Sequence, residues 1–166
     1  MSLEANYYSP LVNWGLAKIR QFVNFNYTAG VNRFNTIEER LDISNEGIRG
    51  VRSDSLKGVR KLVLNVETVL FSRASIAGFR IAPYLFGDFG IVNFNEKSFF
   101  VGPIYSGFGL GFRFRNENLT FNTFQVRFGI YPNIPNINAF RLAFGGEQKL
   151  AFRDFDISAP EEIKFR

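Results

Sequence analysis

The chain has no histidine and no cysteine. The commonest general base, the commonest metal ligand and the thiolate nucleophile are therefore all missing. What remains for chemistry is 15 Asp and Glu set against 20 Lys and Arg, a net charge of +5. Carboxylates alone can support catalysis in principle, but the missing residue types predict a protein that is not an enzyme, with no catalytic residue, no metal and no cofactor. The spacing favours charge pairing instead. Glu67 and Asp88 fall on the polar parity of successive extended segments, and Arg113, Arg115 and Arg127 fall on the polar parity of later ones. An arginine buried among such residues needs carboxylate partners, because an unpaired charge removed from water is costly and the guanidinium fork suits two oxygens.

These side chains are held by elements with a period of two. Ile104, Ser106, Phe108, Leu110, Phe112 and Phe114 share one parity, and Tyr105, Gly107, Gly109, Gly111, Arg113 and Arg115 share the other. After Asn116, Glu117 and Asn118 the alternation restarts, with Phe124, Val126, Phe128 and Ile130 opposite Gln125, Arg127 and Gly129. That pattern is a β-hairpin with one apolar and one cationic face. Its first arm runs about 12 residues, closer to a tilted membrane-crossing strand than to an ordinary globular one. Glycines at 107, 109 and 111 on the cationic parity have two readings: curvature of the wall, or room for a returning loop.

Further strands repeat the scheme. From Ala17 to Thr28, Ala17, Ile19, Val23, Phe25 and Tyr27 oppose Lys18, Arg20, Asn24, Asn26 and Thr28. From Arg60 to Phe71, Leu62, Leu64, Val66 and Leu70 oppose Lys61, Asn65 and Glu67. Ser72 to Ser75 is expected to turn tightly into a strand from Ile76 to Gly90, with Phe79, Ile81, Leu85 and Phe89 opposite Arg80, Tyr84, Phe86 and Asp88. Pro83 within it predicts a bulge or an edge, since proline removes one ladder donor. Phe140, Leu142 and Phe144 alternate with Arg141 and Ala143, and residues 149–157 are a candidate extension. The connections run long, short, long, short, as in outer-membrane barrels. The longest, residues 30–58, carries Glu38, Glu39, Arg40, Asp42, Asn45, Glu46, Arg49, Arg52 and Asp54, and is too long for an idle link.

Hydrophobic residues make up 46 % of the chain and 21 residues are Phe, yet mean hydropathy is −0.05, because apolar and polar residues interleave. No apolar run approaches the roughly 18 residues that a spanning helix needs. The expected fold is all-β: a single domain over residues 1–166, an antiparallel up-and-down meander of six or seven strands. The smallest membrane barrels have about eight strands, and hydrocarbon does not tolerate an open edge. The segment is therefore expected to be part of a larger barrel that self-associates through its open edges if isolated, and the lack of a secretory signal ahead of the strands agrees with that. Nucleic acid is not an expected partner. The basic residues Lys18, Arg20, Lys61, Arg80, Arg113, Arg115, Arg127 and Arg141 recur singly, on the face opposite most of the aromatics that could stack on bases. The alternative reading is a soluble lipocalin-like barrel binding a small apolar ligand, which has the same alternation with inside and outside exchanged.

Gly47-Ile48-Arg49-Gly50-Val51, Lys57-Gly58, Leu62-Val63-Leu64-Asn65-Val66-Glu67 and Phe86-Gly87-Asp88-Phe89-Gly90 resemble, in order and spacing, the C-terminal part of the barrel of the bacterial surface antigen family. That family includes the BamA-type outer-membrane insertase, its TamA-like relatives and patatin-linked barrels. The resemblance covers about Ala17 to the end. It implies a transmembrane β-barrel segment of the bacterial outer membrane that touches outer-membrane lipid and helps insert or translocate unfolded outer-membrane precursors or a passenger. It further implies that the long loop folds back into the lumen, with Gly47, Ile48, Arg49 and Gly50 at its tip and Glu67, Phe86, Asp88 and Gly90 on the wall. Arg49 would then meet Asp88, supported by Glu67, although an open sheet without a lumen is not expected to hold the pair. Val51 stands where the family usually carries an aromatic, which predicts a weaker anchor.

Overall fold

Side chains that alternate strictly between apolar and polar can satisfy both faces only as extended chain, and the backbone polar groups then need neighbouring strands. A computed structural model describes residues 1–15, 17–30, 41–42, 47–51, 57–72, 75–76, 78–93, 103–116, 123–135 and 138–146. They contain no helix. The strands are β1 (Ser2–Tyr8), β2 (Val12–Trp14), β3 (Ala17–Ala29), β4 (Leu41–Asp42), β5 (Lys57–Gly58), β6 (Arg60–Ser72), β7 (Ser75–Ile76), β8 (Phe79–Asn93), β9 (Ile104–Asn116), β10 (Phe124–Ile130) and β11 (Phe140–Gly146). One antiparallel up-and-down sheet runs β1-β3-β6-β8-β9-β10-β11, with β2 also on β3 and β7 also on β8. Among the described residues β1 and β11 are the ends of that path and do not pair with each other. The arms of the long loop pair as a separate ribbon, Leu41 with Gly58 and Asp42 with Lys57.

Register keeps each parity on one side across the whole sheet. Val23, Val66, Gly87, Phe108, Ile130 and Phe140 follow one another rung by rung on the apolar face. On the other face Asn6, Asn24, Asn65 and Asp88 form a polar rung that ends at Gly107. The apolar face is the exposed one, presenting Leu85, Phe108, Leu110, Phe128, Leu142 and Phe144, whereas Lys61, Asn65, Glu67, Asp88 and Arg127 are buried. This inverts the usual water-soluble arrangement.

Two local expectations need correction. The first strand of the sheet is β1, not the segment from Ala17. β1 and β2 lie along β3 as one strand, interrupted where Ser9, Pro10 and Leu11 face only Arg20 and Gln21 between the rungs Tyr8–Phe22 and Val12–Ile19. That is a bulge of one extra residue, and Pro10, with no N–H to offer a ladder, is accommodated in it. Ser9 ties it down: its N–H donates to Gln21 O at 2.9 Å, and its Oγ accepts from Gln21 N at 2.9 Å. The turn into β8 is not at 72–75. β7 pairs with β8 as Ser75–Arg80 and Ile76–Phe79, so the chain reverses between Ile76 and Phe79, and Gly78 takes φ 80° there, a conformation that glycine adopts without a Cβ clash. Pro83 lies in an interior strand, not at an edge: the ladder to β9 runs through it, and on its other side the pairing is interrupted at Pro83, between the rungs Val69–Tyr84 and Ser75–Arg80, as a missing ladder donor predicts. The candidate strand at 149–157 lies outside the described residues.

Candidate functional site

The sheet's polar face carries a charge cluster on β6, β8 and β9, and the loop tip at 47–51 is seated on it. Asp88 is 0 % exposed and Glu67 2 %, while the Arg49 side chain retains 10 %. Arg49 Nε donates to both Asp88 oxygens at 3.0 Å, and Nη2 donates to Asp88 Oδ1 at 2.8 Å. Nη1 forms a short ion pair with Glu67 Oε2, and Nη2 also reaches Val66 O at 3.2 Å. Glu67 is shared, since Arg113 donates to Oε1 at 2.7 Å and to Oε2 at 3.1 Å. Two guanidinium groups thus face two carboxylates, and the charges are neutralised locally. Burial opposes the charge on Arg49, but Asp88 and then Glu67 outweigh it and hold its pKa above the ordinary arginine value. The pair forms although the sheet is open.

Backbone contacts seat the rest of the tip. Asp88 Oδ2 accepts from Arg49 N at 2.9 Å. Asn65 Nδ2 bridges Gly47 O at 2.7 Å and Asp88 Oδ1 at 2.8 Å. Tyr131 donates its hydroxyl to Arg49 O at 2.6 Å, and Arg141 Nη1 donates to Gly50 O at 2.8 Å. Burial pushes the Tyr131 pKa up, against the opposing pull of Arg127. A turn bond from Val51 N to Ile48 O closes the tip at 3.2 Å. Gly50 takes φ 81° there, and a Cβ at that position would stand 2.7 Å from the Tyr131 hydroxyl. Ile48 and Val51 are both buried, in an apolar cluster with Val63, Val92, Tyr131 and Ile134. Val51 is therefore a full member of the anchor.

The glycines of β9 and β10 make the floor. A Cβ on Gly109 or Gly111 would collide with the Phe86 or the Tyr84 ring, each its rung partner on β8. One on Gly107 would meet the Tyr131 ring at 2.7 Å and Ile48 at 3.0 Å. Room for the loop accounts for Gly107, whereas Gly109 and Gly111 accommodate cross-strand aromatic rings. Guanidinium groups stack above those rings, Arg49 4.7 Å from the Phe86 centroid and Arg113 4.3 Å from that of Tyr84. The Tyr84 hydroxyl donates to Gln125 at 3.0 Å.

Of the eight residues picked out in the sequence, the structure brings together Gly47, Ile48, Arg49, Gly50, Glu67, Phe86 and Asp88. Gly90 is apart from the charges, in the rung with Val63 and Tyr105, which pack in the apolar cluster. The loop residues Glu38, Glu39, Arg40, Asn45, Glu46, Arg52 and Asp54 lie outside the described residues. Asn65, Arg113, Tyr131 and Arg141 join the site without having been assigned to the loop tip. Asn65, Arg113 and Arg141 had the right parity, and Tyr131 directly follows the last alternating residue. Among the described residues no group of three or more acidic, histidine or cysteine side chains is placed to hold a metal ion. Comparison of the chain with family models, curated proteins and solved structures gives no match.

Proposed function

We propose that this chain is part of a bacterial outer-membrane β-barrel of the surface-antigen kind, one that helps insert or translocate other proteins and is not itself an enzyme. The observation that carries the reading is the division of the sheet. An exposed, almost wholly apolar face suits lipid, while the opposite face buries its charges against a loop tip that closes on it. The ordered Gly-Ile-Arg-Gly, Asn-x-Glu and Phe-x-Asp elements support the family resemblance, and the Arg49–Asp88 contact gives them a common physical purpose. The lipocalin alternative needs its apolar parity turned inward around a ligand. Here Phe108, Leu110, Phe124 and Phe128 are exposed, and the enclosed parity carries Glu67, Asp88 and Arg127.

The test has two stages. The chain, refolded in detergent, is first mixed with phospholipid vesicles and floated, and it is expected to travel with the lipid. A monodisperse monomer in detergent-free buffer would overturn the membrane reading. Vesicles carrying the chain are then challenged with an unfolded small β-barrel precursor, whose folding is expected to be faster than in empty vesicles. Equal rates with the chain inserted would remove the assembly role.

A further inference from the structure

Tyr131 and Arg141 contact the loop tip from outside the charge cluster, and they do so through main-chain carbonyls, Arg49 O at 2.6 Å and Gly50 O at 2.8 Å. Both belong to the last connection and strand of the sheet. Tyr131 follows β10 directly, and its N–H donates to Ala139 O at 2.9 Å, closing the segment that leads into β11. Its ring rests on Gly107 and Gly129, with no space for a Cβ beneath it. Arg141 is a β11 residue, paired with Gly129 across the ladder. Among the described residues β11 is bonded to the sheet only through β10, as the end of the strand path, and it presents Phe140, Leu142 and Phe144 on its exposed face. A terminal strand held on one side is the part of a sheet that opens most easily.

We infer that Tyr131 and Arg141 are positioning residues that couple the seat of the loop tip to the attachment of the end strand β11. This rests on the proposed closing of the loop tip on the polar face, a lock made by Arg49, Asp88 and Glu67, and it adds a second connection to it. Withdrawing the tip removes the acceptors of Tyr131 and Arg141, so β11 and the connection into it each lose a contact that ties them to the tip. Peeling β11 away carries Arg141 from Gly50 O and disturbs the turn that holds Tyr131. Because the linkage is a shared free energy, it acts equally in both directions.

Amide hydrogen exchange on the full chain in detergent micelles separates the possibilities. Tyr131→Phe keeps the ring on its glycine floor and removes only the hydroxyl. It is expected to speed exchange about fivefold, the worth of one neutral hydrogen bond, at the Arg49 amide and also along Phe140–Gly146. Arg141→Met is expected to do the same at both places. Arg49→Ala, which releases the tip without altering the C-terminal hairpin, is expected to speed exchange in β11 while leaving β3 and β6 protected. Faster exchange at the tip with unchanged β11 in all three variants would overturn the coupling and leave the lock intact. If Asp88→Ala also left the tip amides unchanged, the lock itself would fail, and the coupling with it.

Discussion

Asp88 holds Arg49 in two places at once, through the guanidinium, with Nη2 at 2.8 Å, and through the backbone amide at 2.9 Å. One carboxylate thereby fixes both the position of the tip and the direction of its side chain. Asp88→Ala leaves a buried arginine with Glu67 as its remaining carboxylate, and is expected to destabilise the seated state by about 3–5 kcal/mol. Arg49→Ala leaves Glu67 with Arg113 and Asp88 with the Asn65 amide and a backbone N–H, without a cation. If the pair acts as a unit, the double variant is little worse than either single change. Chemical unfolding in micelles measures this, and fully additive losses would dissolve the pair.

Neighbouring residues on β9 should report opposite environments. Cysteines introduced singly at Phe112 and Arg113 in this cysteine-free chain, then spin-labelled, are expected to be quenched by a lipid-soluble reagent at 112 and far less at 113. Phe112→Arg is expected to cost a few kcal/mol in a bilayer. Equal accessibility at the two positions would refute the assignment of faces.

The glycines provide a graded series. Gly109→Ala would drive a methyl into the Phe128 carbonyl and the Phe86 ring, whereas at Gly87 the nearest neighbour of a new Cβ would be Phe108 at 3.5 Å. The first is expected to cost about 1–3 kcal/mol through overpacking, and the second to be close to neutral. Equal unfolding midpoints for the two variants would exclude the floor described for β9.

Alkaline titration should loosen the tip. The Tyr131 pKa is raised by burial, so the folded chain favours the neutral phenol that donates to Arg49 O. That contribution is complete below the unfolded tyrosine pKa of about 10, and is lost as pH rises from there through the raised folded value. Exchange at the tip is expected to accelerate over that range in the unaltered chain, and Tyr131→Phe should flatten the dependence. An identical pH profile in both would show that the phenol does not carry it.

The faces of the sheet were legible because a period of two leaves a strand no freedom: one count of Phe108, Leu110 and Phe112 against Gly107, Gly109 and Gly111 assigns both sides. The alternation of Leu3, Ala5 and Tyr7 was equally present. The bulge at Ser9–Leu11 masks it, because it breaks the continuation into Val12 and Trp14. Asp88 and Glu67 could be assigned to the polar face from their own strands. Tyr131 and Arg141 could not be assigned to the tip, because they meet carbonyls 82 and 91 residues away in sequence, and main-chain acceptors leave no trace in residue type. The ring-over-glycine contacts depend on register, which alternation leaves open by steps of two residues.

The rung Asn6–Asn24–Asn65–Asp88 crosses four strands with no apolar member. A slip of one residue in β3, β6 or β8 would turn its amide or carboxylate to the side that now carries only hydrocarbon at that level. The rung therefore acts as an alignment mark during assembly: among the possible pairings of these long strands, odd shifts are rejected by the cost of moving amides and a charge out of their polar surroundings. On the proposed membrane reading, a sheet that met lipid one hairpin at a time would in this way check its own registration strand by strand, before any loop arrived to close over it.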